Sequence, residues 1–196
     1  MNLKQTSFCT FLLEFKDGSV AINPTKSSKE DIRIYSLKNS PYLNYDNNEG
    51  SLAITNAGEY EVKDIFVNAK KNKNEDSYVQ TISCEGINIG VISLVNDVSI
   101  IPDEFFETTE VLLIGAGGGP LLTIKDAHEL ANKLSPSIAI FFGFKEQAIK
   151  DLQNTLDSIE EAKKEVTTIS ILDKTLKIDK EFVNGLDNTV FYAFGE

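Results

Sequence analysis

Val111-Leu112-Leu113-Ile114-Gly115-Ala116-Gly117-Gly118-Gly119-Pro120 is the stretch on which the fold turns. Its first four residues are an unbroken run of branched apolar side chains, as expected of a strand covered on both faces. The glycines and Pro120 end that run. Thr123 then opens a helical pattern, with Asp126 three residues on as a variant of the capping box. Ile124, Ala127, Leu130, Ala131 and Leu134 recur at helical spacing, and Ser135-Pro136 stops the helix. Residues 137–142 read as a second buried strand, which gives a β-α-β unit.

Downstream, residues 145–166 read as a longer amphipathic helix with Ala148, Leu152, Leu156 and Ile159 on one side. Residues 167–194 return to short alternating strands. Upstream, the chain reads as strands throughout. Segments 10–15 and 19–22 flank Lys16-Asp17-Gly18, a turn of the Asp-Gly type that closes hairpins. Further strands are expected at 31–36, 52–55, 60–67, 77–84 and 87–94, the last two joined by Glu85-Gly86. Residues 39–50, with Pro41, four Asn and a Gly, read as a loop. Strands followed by a β-α-β-α unit and terminal strands imply mixed sheets with helices packed outside. With 196 residues and no linker or internal repeat, positions 1–196 are expected to form a single domain.

The formal net charge of −11 opposes phosphate backbones and anionic lipid, so neither nucleic acid nor a membrane surface is an expected partner. The compact basic run, Lys70-Lys71-Asn72-Lys73, is followed by Asn74-Glu75-Asp76 and reads as a solvated hairpin tip. No apolar run approaches the ~20 residues of a membrane helix. No signal-peptide pattern opens the chain, so a cytoplasmic location is expected. Cys9 and Cys84 are too few for a disulfide framework and fall in strand-like segments, where a buried thiol is expected.

Several segments resemble one family. The hairpin from Thr10 through Asn23-Pro24 is similar to the opening hairpin of the metallo-β-lactamase superfamily, in the subgroup of small hydrolases that includes ascorbate-phosphate-lactonase-like enzymes. Ala57-Gly58-Glu59-Tyr60-Glu61-Val62 resembles that subgroup's P-G-E-Y-E-V segment. The run from Val111 to Gly119 resembles its V-L-L-I-P-V-G-G-G, and Thr123-Ile124-Lys125-Asp126-Ala127 its helix start. The resemblance spans nearly the whole chain. It implies an α+β fold, the αββα four-layer sandwich, in which two mixed β-sheets lie face to face with helices outside and the site runs along a sheet edge.

That family's chemistry rests on one or two metal ions, usually zinc, that turn bound water into hydroxide near neutral pH. The ligand positions implied by the resemblance are almost all replaced. Where H-x-H-x-D-H should follow Ser36, the chain reads Leu37-Lys38-Asn39-Ser40-Pro41-Tyr42. The early Gly-His pair falls on Ser7 and Phe8. The segment like H-L-G-D reads Ser93-Leu94-Val95-Asn96, with Asp97 one residue on. The late His of P-M-H-Y becomes Gly143 in Phe141-Phe142-Gly143-Phe144. No histidine precedes His128, which lies inside the 123–134 helix and reads as a partly exposed helix residue rather than a ligand or base.

Other constellations are weaker. The 115–119 glycines lack the Gly-Lys-Ser/Thr of a phosphate loop and read as a tight strand-to-helix turn, although amides near the helix start could hold an anion. Glu59 and Glu61 share one side of a strand; they read as a solvated face, with an acid–base or cation-binding pair as the alternative. Asp103, Glu104 and Glu107 after Pro102 suggest the acidic start of a short helix. Phe105, Phe106, Phe141, Phe142 and Phe144 are expected to fill core near the emptied site.

The resulting expectation is a fold that has lost metal-dependent hydrolysis and acts as a binding or structural domain, with no metal and no cofactor. Its vestigial pocket would be lined by Phe8, Asn39, Tyr42, Ser93, Asn96, Asp97 and Phe144. The alternative is a divergent hydrolase of a small ester, lactone or phosphoester that uses Asp97, Glu59 and Asn residues with a hard metal or none. A homo-oligomer or a protein partner is left open, since exposed sheet edges suit pairing.

Overall fold

The alternation of apolar and polar residues builds two mixed sheets. The computed structural model describes residues 1–25, 28–37, 43, 50–73, 76–148 and 150–195. In chain order the strands begin with β1 (Asn2–Ser7), β2 (Thr10–Glu14), β3 (Ser19–Ile22), β4 (Ile32–Ile34) and β5 (Leu52–Ile54). Next come β6 (Gly58–Val62), β7 (Ile65–Lys71), β8 (Tyr78–Cys84), β9 (Ile87–Ile92) and β10 (Val111–Gly115). Helix α1 (Ile124–Leu134), β11 (Ile138–Phe142), α2 (Ile159–Glu165), β12 (Ser170–Leu172), β13 (Thr175–Lys177), α3 (Lys180–Asn184) and β14 (Val190–Phe194) complete the order. One sheet runs β13-β1-β2-β3-β4-β5, the other β12-β14-β11-β10-β9-β8-β7-β6.

β10 shows how the pattern sets the layers. Leu113 points between the sheets with Ile82, Val91, Ile140 and Phe142, where Phe142 meets Phe11 edge-on at 5.0 Å. Leu112 and Ile114 point the other way, onto Ala127, Leu130 and Ala131 of α1 and Ala162 of α2. The strand is parallel to both β9 and β11, so apolar residues are required on both faces. Thr123 caps α1 by accepting from the Asp126 amide, and Ser135 ends it in the left-handed region.

Three expectations are corrected. Residues 145–166 are not one helix. Lys145–Gln147 and Gln153–Thr155 are single 3-10 turns, and α2 starts only at Ile159. Backbone groups of Asp157 that a helix would need are used elsewhere: its amide donates to Gly117 O in the glycine loop (2.7 Å), and its carbonyl accepts from the Lys145 amide (2.9 Å). Ser158 and Glu161 form a full capping box that fixes the late start. The apolar residues also serve two cores, Leu152 and Leu156 between the sheets and Ile159 and Ala162 under α1. Second, the 60–67 segment is split into β6 and β7 by Lys63 and Asp64, both at positive φ (52° and 58°), a hairpin turn without its usual Asn-Gly signature. Third, the tail contains α3, capped by Asp179 accepting from the Phe182 amide (2.8 Å). α3 buries Val183 in the inter-sheet core.

Candidate functional site

β3, β4, β9 and β11 all finish at one end of the sandwich, and there a buried polar cluster joins the two sheets. Asn23, just past β3, is completely buried with φ +49°, a conformation Asn tolerates better than most residues. Its Nδ2 donates to Ser36 Oγ (3.1 Å) and to Ser93 Oγ (3.0 Å). Its Oδ1 accepts from the Ser36 amide (2.8 Å). Its own amide donates to Ile34 O (2.8 Å), and its carbonyl accepts from Thr10 Oγ1 (2.7 Å). Ser36 Oγ donates onward to Gln80 Oε1 (3.2 Å), whose Nε2 donates to Tyr78 O (3.1 Å). Ser36 lies beyond β4 in the six-stranded sheet, whereas Gln80 and Ser93 belong to β8 and the end of β9 in the other. Backbone bonds reinforce the junction: the Tyr78 amide donates to Ser36 O (2.7 Å), and Leu37 bridges Ser77.

Cys9 is buried here and shares a side-chain hydrogen bond with Ser93. Burial pushes its thiol well above the ordinary range, while the Ser93 bond acts the other way, so the neutral S–H form dominates. Both cysteines are buried and free, as their strand positions predict.

Beside this cluster β11 ends at Gly143, with φ +89°. A Cβ at Gly143 would fall 2.0 Å from Leu121 Cδ1 and 3.4 Å from Phe8 Cε2. A Cβ at Gly117 would fall 1.9 Å from the Gly143 carbonyl oxygen. The glycine loop thus serves a backbone-on-backbone approach, with Gly118 and Gly119 at positive φ turning toward α1. Asp157 lies against this loop, 3.4 Å from a Cβ at Gly118. Desolvation first, then repulsion from Glu161, raise its carboxyl pKa, and Lys145 partly opposes them.

Of the residues expected to line a pocket, Phe8 and Ser93 come to this end and are buried. Phe144 is buried in the helix-side core instead, with Phe106 and Phe141. Asn96 and Asp97 are exposed, and Asp97 caps a 3-10 turn by accepting from the Ser99 amide (2.8 Å); the Ser99 hydroxyl first, and then this amide, hold its pKa low. Asn39 and Tyr42 lie outside the described residues. The aromatic group expected near the site is divided, since only Phe142 faces the inter-sheet core. Glu59 and Glu61 are exposed on β6. His128 is half-buried and meets Phe191 edge-on at 5.1 Å on the helix side. Sequence reasoning passed over Asn23, Gln80 and Thr10. The one local signal was Asn23-Pro24 closing a hairpin strand, where an Asn suits positive φ.

No protein-family model matches the chain, and no curated protein sequence matches it. Solved structures do. A Thermotoga maritima protein, described as a Zn-dependent hydrolase of the metallo-β-lactamase superfamily, superposes with TM-score 0.77 at 18% identity, over 99% of this chain and 98% of its own. This is the metallo-β-lactamase fold. An isothiocyanate hydrolase from Delia radicum gut bacteria shares the metallo-β-lactamase fold with this chain at TM-score 0.68 and 10% identity, covering 91% of this chain and 99% of its own. A metallo hydrolase from Ignicoccus hospitalis does so at 0.62 and 13%, covering 100% and 97%.

The metallo-β-lactamase fold implies a metal at this sheet end, and the described residues there do not fit one. The donors are a carboxamide pair, hydroxyls and a protonated thiol, all neutral and already hydrogen-bonded to one another. Divalent ions of this class need imidazole, carboxylate or thiolate. Among the described residues no group of three or more His, Cys, Asp or Glu is placed to hold a metal. Nor is any helix among them long and apolar enough to cross a membrane.

Proposed function

We propose that this protein is a metallo-β-lactamase-fold domain that has lost metal-dependent hydrolysis and acts by binding or as a structural subunit. One observation carries the reading: where the resemblance puts ligands, the described residues are packed or paired groups. Phe8 and Leu121 crowd Gly143, Leu37 is drawn into a bridge with Ser77, and Ser93 accepts from Asn23. A hydroxide-generating site needs an open coordination position and anionic or imidazole donors; the described residues at this end offer neutral groups that satisfy each other. The whole chain would act as one domain, because β13 of the C-terminal tail pairs with β1 of the N-terminus. Two free buried cysteines suit a cytoplasmic location.

A ligand would find room in a neighbouring cleft of about 670 Å³, bordered by Gln5, Ser7, Gln147, Lys174 and Gly195. Its size suits a small molecule. The overall charge favours a neutral or cationic partner over a polyanion. Self-pairing along β6 is disfavoured: an antiparallel pair centred on Tyr60 would set Glu59 of one copy opposite Glu61 of the other.

The test is metal content of protein expressed with added zinc, manganese and iron, together with a screen of lactones, phosphodiesters and acyl esters. Substoichiometric metal and no turnover are expected. One metal per chain, or hydrolysis abolished by Asp97→Ala, would establish the divergent-hydrolase alternative instead.

A further inference from the structure

We infer that the free edge of β6 is a docking strip for an extended cationic segment of a partner protein, one that adds a strand to the eight-stranded sheet with Lys or Arg at alternate positions. This goes beyond the loss of hydrolysis and does not depend on whether the Asn23 end holds a metal. Four strands end the two sheets, β5 and β13 in one, β12 and β6 in the other. β5, β12 and β13 have three residues each, too short to template a new strand. β6 has five, and its register with β7 runs unbroken from Gly58↔Ala69 to Val62↔Ile65. Among the described residues it pairs with β7 alone.

The hairpin turn fixes which backbone groups are free. Lys63 and Asp64 form a two-residue loop with both φ positive, so Val62 and Ile65 close it as a hydrogen-bonded pair. Bonded pairs recur at every second residue, so Gly58, Tyr60 and Val62 direct their N–H and C=O to β7. Glu59 and Glu61 direct theirs to the open edge. The side chains of the same two residues are exposed on one face. Phe66, opposite Glu61 in register, is the one large apolar side chain exposed among the described residues. Shortness, proline and a bulge are common ways to blunt an edge, and β6 uses none of them; its charge is selective instead. Two carboxylates repel a second copy of this edge, yet attract ammonium or guanidinium groups placed two residues apart on an incoming strand. Such a segment alternates basic with apolar residues. Its basic side chains face Glu59 and Glu61, and its apolar ones extend the cover over Tyr60 and Val62, half-buried on the inner face.

The probe is a peptide of about seven residues alternating lysine and valine, added to the whole protein, with amide exchange read by NMR. The Glu59 and Glu61 amides should exchange freely without peptide and slow at least about tenfold with it, while the Tyr60 amide, already bonded to β7, changes less than about twofold. Two controls separate strand addition from charge attraction. The same peptide N-methylated at its edge-facing amides keeps its charge and should give no protection. Glu59→Lys combined with Glu61→Lys should lose the response to the lysine peptide and gain one to a glutamate–valine peptide. If that double variant fails to fold, the methylated peptide still decides the matter. Absence of protection at about 1 mM lysine peptide, or equal protection of the parent protein by the methylated or the glutamate peptide, would overturn the proposal. So would Glu59 and Glu61 amides that become protected in the free protein as its concentration rises, because the edge would then belong to a second copy of this chain.

Discussion

The two ends of the sandwich are fastened by opposite kinds of chemistry. At the Asn23 end the links between sheets are neutral and buried. At the other end, where β4 begins and β8 turns into β9, they are charged and partly exposed. Asp31 receives Lys63 at 2.6 Å and the Ser19 amide at 2.9 Å. Glu85 accepts from the Lys16 amide (2.6 Å) and pairs with the N-terminal ammonium (3.3 Å). Asp31 is held below the usual carboxylate range, first by its Lys63 bond; Glu85 is held low first by the Lys16 amide. The two ends should therefore answer different perturbations. The charged end should respond to pH and salt; the neutral end should ignore both and respond to shape and to lost partners.

The sharpest attempt to break this contrast is to introduce an imidazole. Gly143→His forces a bulky residue to φ +89° against Leu121 and Phe8. Strain and overpacking together should cost about 4 kcal/mol, seen as loss of soluble folded protein or a Tm drop beyond 10 °C, roughly. Unchanged stability with new zinc affinity would mean this end is an open site. A milder cut is Gln80→Met, which keeps volume but strands the Ser36 hydroxyl and the Tyr78 carbonyl. About 2 kcal/mol should be lost in urea melts, by the same amount at pH 5 and pH 9. A pH-dependent loss would show that a titrating group shares the cluster.

The smallest effect belongs to the charged end. Asp31→Asn should lower stability by about 0.5 kcal/mol at pH 7, given that Lys63 is half-exposed and the pair is screened. The folded pKa of Asp31 lies below its unfolded value. Its contribution is therefore complete above the unfolded value, about 3.9, and is lost as pH falls through the folded one. Parent and variant should converge in acid melts below that point and also in high salt. A gap that persists in acid would move the pairing energy to another group.

The sequence alone determined the seam around β10. An apolar run, a glycine turn, a capping Thr and a Ser-Pro stop are local signals, and each is obeyed within a turn or two of the chain. It also determined that the chain carries a single histidine, His128, since residue identity needs no fold to be read. The tertiary structure alone decided how the sheet end was filled. Asn23 and Ser93 are 70 positions apart, and their pairing has no periodicity to read. It likewise decided that the described residues of 145–157 abandon the helix their pattern suggests, because the Asp157 amide finds its acceptor at Gly117 and the Asp157 carbonyl takes the Lys145 amide. Local periods report what one element wants to bury. They are silent where backbone and polar groups choose partners from distant strands.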